Sequence, residues 1–238
     1  MNIALIGYGK MGRTIEEIAI KRGHHISFRI STANRHELDA PHLIGTDVAI
    51  EFTSPESAKD NVFDCLNAGV SVVCGTTGWN DDVKHAGTLA KEKGLAFIQA
   101  SNFSVGVNIF FEINKQLAAI MKSHSEYNVS IEETHHIHKK DAPSGTAITL
   151  AEQIMKQITT KKAWSLNFEH NADILPVMAH RVDNVPGTHN VKYASEIDDI
   201  EIIHTAHSRE GFALGAVLAA EYIAGKQGVF SIRDVLFS

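Results

Sequence analysis

The sequence predicts an α/β protein: an N-terminal doubly wound parallel sheet, plus an inserted α+β domain built on a mixed or antiparallel sheet. Three observations carry that expectation. Over the first hundred residues, short β-branched runs alternate with helical stretches, the pattern of parallel strands joined by crossover helices. Beyond Phe103, strand-like runs follow one another with a single helix among them, as in mixed or antiparallel sheets. Finally, residues 211–224 form an Ala- and Leu-rich helical tail suited to docking back on the N-terminal part. The expected division is 1–103 with 211–238 for the first domain and 104–210 for the second.

In order, residues 2–6 are a compact apolar strand and 10–21 a helix closed by Gly23. Residues 25–30 read as a second strand and 48–52 as a third. Ser54-Pro55-Glu56 then supplies an N-cap, a proline at the first helical position and an acid in the first turn. That helix runs to Asn67 and stops at Gly69, with Ala58, Val62, Cys65 and Leu66 on one face. A strand at 70–74, a helix at 81–93 and a strand at 95–99 follow. The long helix at 105–121 has Val105, Ile109, Ile113, Leu117 and Met121 as its expected apolar spine. Strands at 128–134, 175–181, 190–194 and 200–206 make the second sheet, broken by a helix at 146–157.

With 238 residues and 44% hydrophobic content, the chain can bury one sizeable core or two modest ones. Cys65 and Cys74 lie apart in apolar stretches and read as buried hydrophobes of a reduced, intracellular protein. No apolar run reaches membrane-spanning length, and the start has neither the basic flank nor the apolar length of a secretory signal. A cytoplasmic protein without a membrane partner is expected. The formal net charge of −6 argues against nucleic acid as the main partner. Any anionic ligand must therefore be held by local positive groups and backbone donors.

Gly7-Tyr8-Gly9-Lys10-Met11-Gly12 fits GxGxxG, a pattern that is weak alone. Here it leaves a strand and opens a helix, the setting of a Rossmann dinucleotide site. Gly7 permits the tight turn, Gly9 lets backbone approach a pyrophosphate, and Gly12 lets helix and strand pack closely. The helix start adds N–H donors and a partial positive charge. The acid that usually holds the ribose 2′-hydroxyl is missing from the end of the second strand. Arg29-Ile30-Ser31-Thr32-Ala33-Asn34-Arg35 offers hydroxyls, Ser31 among them, and arginines. These suit a 2′-phosphate, so the reading leans to NADPH with NADH also accepted. Arg29 and Arg35 read about equally well as solvated surface charges. Gly75-Thr76-Thr77-Gly78 and Ala100-Ser101-Asn102-Phe103 follow strands four and five, where ligands of doubly wound sheets bind.

Histidine is abundant, at 14 residues, and His24, His25, His36, His42, His85, His124, His170 and His180 read as scattered surface or packing residues. The segment Glu133-Thr134-His135-His136-Ile137-His138-Lys139-Lys140-Asp141-Ala142-Pro143-Ser144-Gly145-Thr146-Ala147 is different. Its second half is a helix start: Asp141 and Ser144 can cap, Pro143 stiffens the entry, and Gly145 leaves N–H groups uncovered. That makes an anion pocket beside imidazoles and an ammonium, hence an anionic small substrate with a proton donor in reach. Crowding of like charges is expected to move His135 or Lys139 toward a neutral pKa. Two alternatives stay open: a basic loop with a capped helix, and a metal site on His136 and His138, which would share a face of an extended segment. Flanking lysines and the lack of a nearby thiolate speak against the metal, and none is expected.

Residues 133–147 resemble the signature of the 4-hydroxy-tetrahydrodipicolinate reductase family, formerly dihydrodipicolinate reductases, of bacterial lysine and diaminopimelate biosynthesis. The resemblance spans essentially the whole chain, with Gly7–Gly12, Gly75–Thr77, Ala100–Phe103 and His207-Ser208-Arg209 through Gly215-Ala216 in the family's order. It implies NAD(P)H-dependent reduction of (2S,4S)-4-hydroxy-2,3,4,5-tetrahydrodipicolinate to tetrahydrodipicolinate with loss of water, the substrate being a small anionic dicarboxylate. It also implies a nicotinamide domain formed by the N-terminal part and the C-terminal helix, and an inserted domain for substrate and homotetramer contacts. His135 matches the family's proton donor/acceptor and Lys139 its proton donor. His136, Gly145 and Thr146 match substrate-carboxylate contacts, with Ser144 at the same helix start; Gly75–Thr77 and Ala100–Phe103 match cofactor contacts. Two departures stand out: the acid of strand two is absent, and the chain is compact for the family. A non-catalytic dinucleotide-binding regulator, a metal-dependent enzyme and another Rossmann reductase are the competing functions.

Overall fold

In the computed structural model, which describes residues 1–166 and 171–238 and so leaves His170 outside, the first strand is Asn2–Ile6 (β1). Lys10–Lys21 (α1), His25–Ile30 (β2), Val48–Glu51 (β3), Pro55–Asn67 (α2), Ser71–Cys74 (β4), Asn80–Glu92 (α3) and Ala96–Gln99 (β5) follow. Next come Val105–Met121 (α4), Asn128–His135 (β6), Gly145–Gln157 (α5), Ala163–Leu166 (β7) and Ile174–Arg181 (β8). Gly187–Ala194 (β9), Asp199–Ala206 (β10), Glu210–Ile223 (α6), Gly228–Phe230 (β11) and Ile232–Phe237 (α7) complete the chain. They form two compact units, residues 1–105 with 209–238, and residues 106–208.

The first unit's sheet runs β11-β5-β4-β3-β1-β2, and every neighbouring pair is parallel. Strand order reverses between β1 and β3, which opens a crevice beyond their carboxyl ends. One face is covered by α1 and α6 through Ile15, Ala19, Ala213, Ala216 and Val217. The other is covered by α2 and α3 through Ala58, Val62, Leu66, Ala86 and Ala90. Gly215 explains how closely α6 docks, because a Cβ there would stand 1.7 Å from the Phe103 carbonyl oxygen.

The second unit's sheet runs β10-β9-β6-β8-β7. Its β10–β9 and β9–β6 pairs are antiparallel, while β6–β8 and β8–β7 are parallel. Helices α4 and α5 pack on it through Phe110, Ala118, Met121, Leu150, Ala151 and Ile154.

The expected spine of α4 is only partly right: Met121 is buried and Leu117 packs against the second core, but Ile109 and Ile113 do not. Its buried residues are Val107, Phe110, Asn114, Ala118 and Met121, while Ile109 and Ile113 are 43% and 45% exposed. A step of four residues overshoots a full turn by about 40°, so a run of such steps spirals off the face it starts on. A mixture of steps of three and four stays on one face, and the core takes such a series, stepping by three, four, four and three. The short elements Thr32–Glu37 (a 3-10 run), β7, β11 and α7 had no signal in the periodicity. The strand β11 is three residues long and exists as a strand by pairing with β5.

Candidate active site

The loop between β1 and α1 is built on glycines with different tasks. Gly7 has φ 103°, and a Cβ there would stand 2.1 Å from the carbonyl oxygen of Phe52. At Gly12 a Cβ would stand 2.2 Å from the Gly7 carbonyl oxygen. Both positions must be bare for the turn itself to close. Gly9 has nothing within 4 Å of a Cβ position, so its bareness serves what approaches from outside. Gly7, Tyr8, Gly9, Ser31, Arg35 and Thr53 are among the residues lining a cavity of about 370 Å³ there. Asn61 also lines it; its Nδ2 donates to Thr53 Oγ1, while its buried Oδ1 has no hydrogen bond among the described residues. Glycine-turn geometry, open space before Gly9 and this orphaned acceptor fit a dinucleotide.

The two arginines of strand two's end divide. Arg29 is committed to Glu16, and its guanidinium lies 5.8 Å from the centre of the Tyr8 ring. Arg35 lines the cavity and is anchored by Asp64 Oδ2 at 2.6 Å. The Tyr8 hydroxyl donates to Glu16, Lys10 is exposed at the helix start, and Met11 packs against the first core.

Several other expected cofactor contacts have structural work of their own. A Cβ at Gly75 would collide with the Phe52 ring at 2.2 Å. Thr76 is buried, and its Oγ1 accepts from the Thr53 N–H at 2.8 Å, tying the ends of β3 and β4 together. Ala100 and the Phe103 side chain belong to the core, which leaves Phe103 only its backbone for a ligand. Asn102 Oδ1 accepts from the Ser104 N–H, while Thr77 and Ser101 are exposed.

In the second unit, β6 delivers Glu133 and His135 to the helical side of the sheet, alternating with Glu132 and Thr134 on the other face. Both Glu133 oxygens accept from the Ser144 N–H, at 3.0 and 3.1 Å. Burial alone would raise the Glu133 pKa, but His189, with Nε2 3.6 Å away, and the hydrogen bonds from Ser144 outweigh it and hold the carboxyl at about 2. His189 stands opposite Glu133 in the β6–β9 register, and its Nε2 is 3.1 Å from Ser144 Oγ. The His135 ring meets the His189 ring edge-on at 5.0 Å, in space left by Gly187, where a Cβ would stand 3.1 Å from His135 Nε2. Burial foremost, then His189 beside it, pushes His135 down to about 4, against the opposing pull of Glu133. His135 is therefore neutral near pH 7.

Like-charge neighbours, His189, Lys139 and Arg181, do add to burial at His135, but they carry it below neutrality instead of toward it. Lys139 Nζ sits 2.8 Å from both Asp141 oxygens, an ammonium paired with a carboxylate. Asp141 thus serves as the partner of Lys139, and the cap of α5 is Ser144, whose Oγ accepts from the Ala147 N–H. Arg181 fixes the turn by donating to the Lys139 and Asp141 carbonyls. Ser144 is 3% exposed, and its N–H and hydroxyl frame the helix start. The N–H groups of its neighbours Gly145 and Thr146 have no partner among the described residues, and Gly145 has open space around its Cβ position.

His136 and His138 do not lie on an extended segment: β6 ends at His135, and the Lys139 N–H closes a turn on the His136 carbonyl. Among the described residues, the group with metal-ligand character is Glu133, His135 and His189, whose ligand atoms lie within 4.8 Å of one another. Its carboxylate is already taken by Ser144 and faced by Arg181 at 3.6 Å. Glu133, Arg181, Gly187 and His189 escaped the sequence reading as site residues. A Gly-Thr-His run on a strand was the one available signal, and nothing local connects it to His135.

Residues 1–103 match the family described as dihydrodipicolinate reductase, N-terminus, and residues 106–236 match dihydrodipicolinate reductase, C-terminus. The chain belongs to the dihydrodipicolinate reductase family. A 4-hydroxy-tetrahydrodipicolinate reductase of Christiangramia forsetii is 52% identical over 237 residues, covering 99% of this chain and 98% of that protein. Its counterpart in Neisseria meningitidis serogroup B is 34% identical, covering 93% and 83%. The dipicolinate-bound dihydrodipicolinate reductase from Paenisporosarcina sp. TG-14 shares the fold, with a TM-score of 0.80 at 20% identity over 97% of each chain. As a family member this chain is an oxidoreductase, and its first unit is of the nicotinamide-binding kind. No helix among the described residues is long and apolar enough to cross a membrane.

Proposed function

We infer that this chain reduces (2S,4S)-4-hydroxy-2,3,4,5-tetrahydrodipicolinate to tetrahydrodipicolinate with loss of water, as a step of lysine and diaminopimelate biosynthesis. One observation carries the reading: a paired ammonium, Lys139, and a neutral imidazole, His135, lie on the segment that leads into two uncovered N–H groups, those of Gly145 and Thr146. That combination suits an anionic ring that must be oriented and then protonated.

A bound nicotinamide cofactor supplies the hydride for ring carbon four. The Gly145 and Thr146 N–H groups, with His136, receive a substrate carboxylate and fix the ring, which is chiefly a gain in orientation. Departure of the 4-hydroxyl with an adjacent ring hydrogen, as water, leaves a C=C bond conjugated with the ring C=N bond. Once carbon four has gained hydride, the adjacent ring carbon holds the electron pair and takes a proton. Lys139 donates it. His135, neutral because it is buried, matches the family's proton donor/acceptor beside Lys139, and its low basicity makes any proton it carries one that is readily given up.

The roles of the remaining parts follow. Residues 1–103 with 211–238 bind the dinucleotide, through Gly7–Gly12, Ser31, Gly75–Thr77 and Ala100–Phe103. Residues 104–210 bind substrate and make the contacts of a homotetramer. NADPH is the preferred reductant, with NADH also accepted, because Ser31, Thr32 and Arg35 line the cavity and no carboxylate does. A cytoplasmic setting agrees with the two buried, free cysteines.

Assaying NADPH oxidation with freshly generated substrate tests the activity: one cofactor should be consumed per tetrahydrodipicolinate formed. No oxidation would sink the assignment. Calorimetry should show NADPH binding more tightly than NADH, and the reverse order would remove the cofactor preference.

A further inference from the structure

We infer that Glu133 and His189 are positioning residues that set the substrate-receiving start of α5, an inference that rests on the reductase reading above. Neither belongs to the groups assigned to proton transfer or ligand contact, and both are buried, at 1% and 5% exposure.

The arrangement exceeds what capping needs. Ser144 Oγ already caps α5 by accepting from the Ala147 N–H, and a serine cap is sufficient for most helices. Yet the N–H of Ser144 is also held by both oxygens of Glu133, and its hydroxyl by His189 Nε2. The clamps come from two paired strands, since Glu133 of β6 and His189 of β9 face each other in register. Ser144 is thus fixed at two atoms by the sheet, and the next two N–H groups inherit its orientation. Those are the Gly145 and Thr146 groups, which make no hydrogen bond to the described residues.

Electrostatics makes this falsifiable, because a carboxylate near a helix start weakens the pull on an anion. If charge were its main influence, Glu133→Gln would tighten substrate binding. If Glu133 acts through position, the same change loosens it, since an amide offers one acceptor oxygen where the carboxylate offers two.

The test is steady-state kinetics with freshly generated substrate at saturating NADPH, alongside calorimetric NADPH affinity. Glu133→Gln should raise KM about tenfold or more, the loss expected when a buried charge-assisted hydrogen bond is weakened, with kcat falling less. NADPH affinity should stay within about twofold, since a conservative change in one unit leaves the other's contacts intact. His189→Phe should also raise KM, and His189→Gln, whose amide can reach the place of Nε2, should recover much of that loss. Should the Glu133 variant not fold, the two His189 variants decide the matter. An unchanged or lowered KM in Glu133→Gln, a fall in kcat alone, or equal behaviour of the two His189 variants would overturn the inference. Absence of turnover in the unmodified enzyme would remove the reductase reading and this inference with it. Turnover with indifferent variants would remove this inference alone.

Discussion

The two units prepare for their ligands by opposite means. The first removes side chains: Gly7 and Gly12 let a turn close, and Gly9 leaves backbone bare before a cavity walled by hydroxyls and one anchored arginine. The second gathers titratable groups: the buried Glu133 carboxylate, two buried imidazoles and the half-buried Arg181 guanidinium, from three strands, are held against one helix start. Backbone N–H groups cost little to keep ready, whereas each buried charge requires partners whose own positions are fixed. The first design should therefore tolerate change in proportion to sterics, and the second in proportion to proton and charge balance.

The largest effect should come from the proton donor. Lys139→Ala should lower turnover by about 10²- to 10⁴-fold, the usual contribution of a placed acid or base. Single-turnover measurements should show the loss in the chemical step, with NADPH affinity unchanged. His135→Gln should act in the same direction. Weakened cofactor binding with turnover preserved would break the division of labour between the units.

How much of each unit could be read in advance follows the same contrast. The turn at Gly7–Gly12 is contiguous, and its glycines announce their geometry through spacing. The helix start at Ser144–Thr146 was equally local. Glu133 stood in view at the head of the signature, but its role depends on Ser144, 11 residues on, and on His189 across a strand pair. Nothing in linear spacing encodes that register. The same holds for β11, which forms only against β5, and for α4, where two overlapping apolar series left the buried face to be chosen by packing. The expectation for Asp141 failed for a related reason: a residue able to cap was instead claimed by a lysine two positions earlier.

A smaller pair of changes separates steric need from ligand need within the first unit. Gly12→Ala forces a Cβ to 2.2 Å from the Gly7 carbonyl, so it should cost about 1–3 kcal/mol of stability as well as cofactor affinity. Gly9→Ala meets nothing within 4 Å. Its melting temperature should be unchanged while NADPH affinity falls about tenfold, roughly 1.4 kcal/mol. If Gly9→Ala were destabilising, or bound cofactor normally, the distinction between the two glycines would not stand.

Acid should distinguish the units most finely. His135 is held at about 4 against an ordinary 6.5, and His204, also in the second unit, is lowered by burial first and then by His189 and His207. An imidazole with a depressed folded pKa binds its proton more readily when unfolded, so its contribution to stability declines as pH falls below 6.5 and levels off below about 4. Glu133, held at about 2 against 4.5, adds a loss in the same direction, beginning only below 4.5. The lowered carboxylates of the first unit, Glu16 and Glu221 among them, also act only below 4.5. Between pH 6.5 and 4.5 the loss should therefore fall on the second unit, at on the order of 2 kcal/mol from His135 by pH 5. The chain provides one tryptophan in each core, Trp79 in the first and Trp164 in the second. Urea unfolding of Trp79→Phe would follow the second unit by Trp164 fluorescence, and Trp164→Phe the first by Trp79. Lowering the pH from 7 to 5 should move the Trp164 transition to lower urea and leave the Trp79 transition in place. Parallel movement of both would mean that the buried imidazoles do not set the second unit's response to acid.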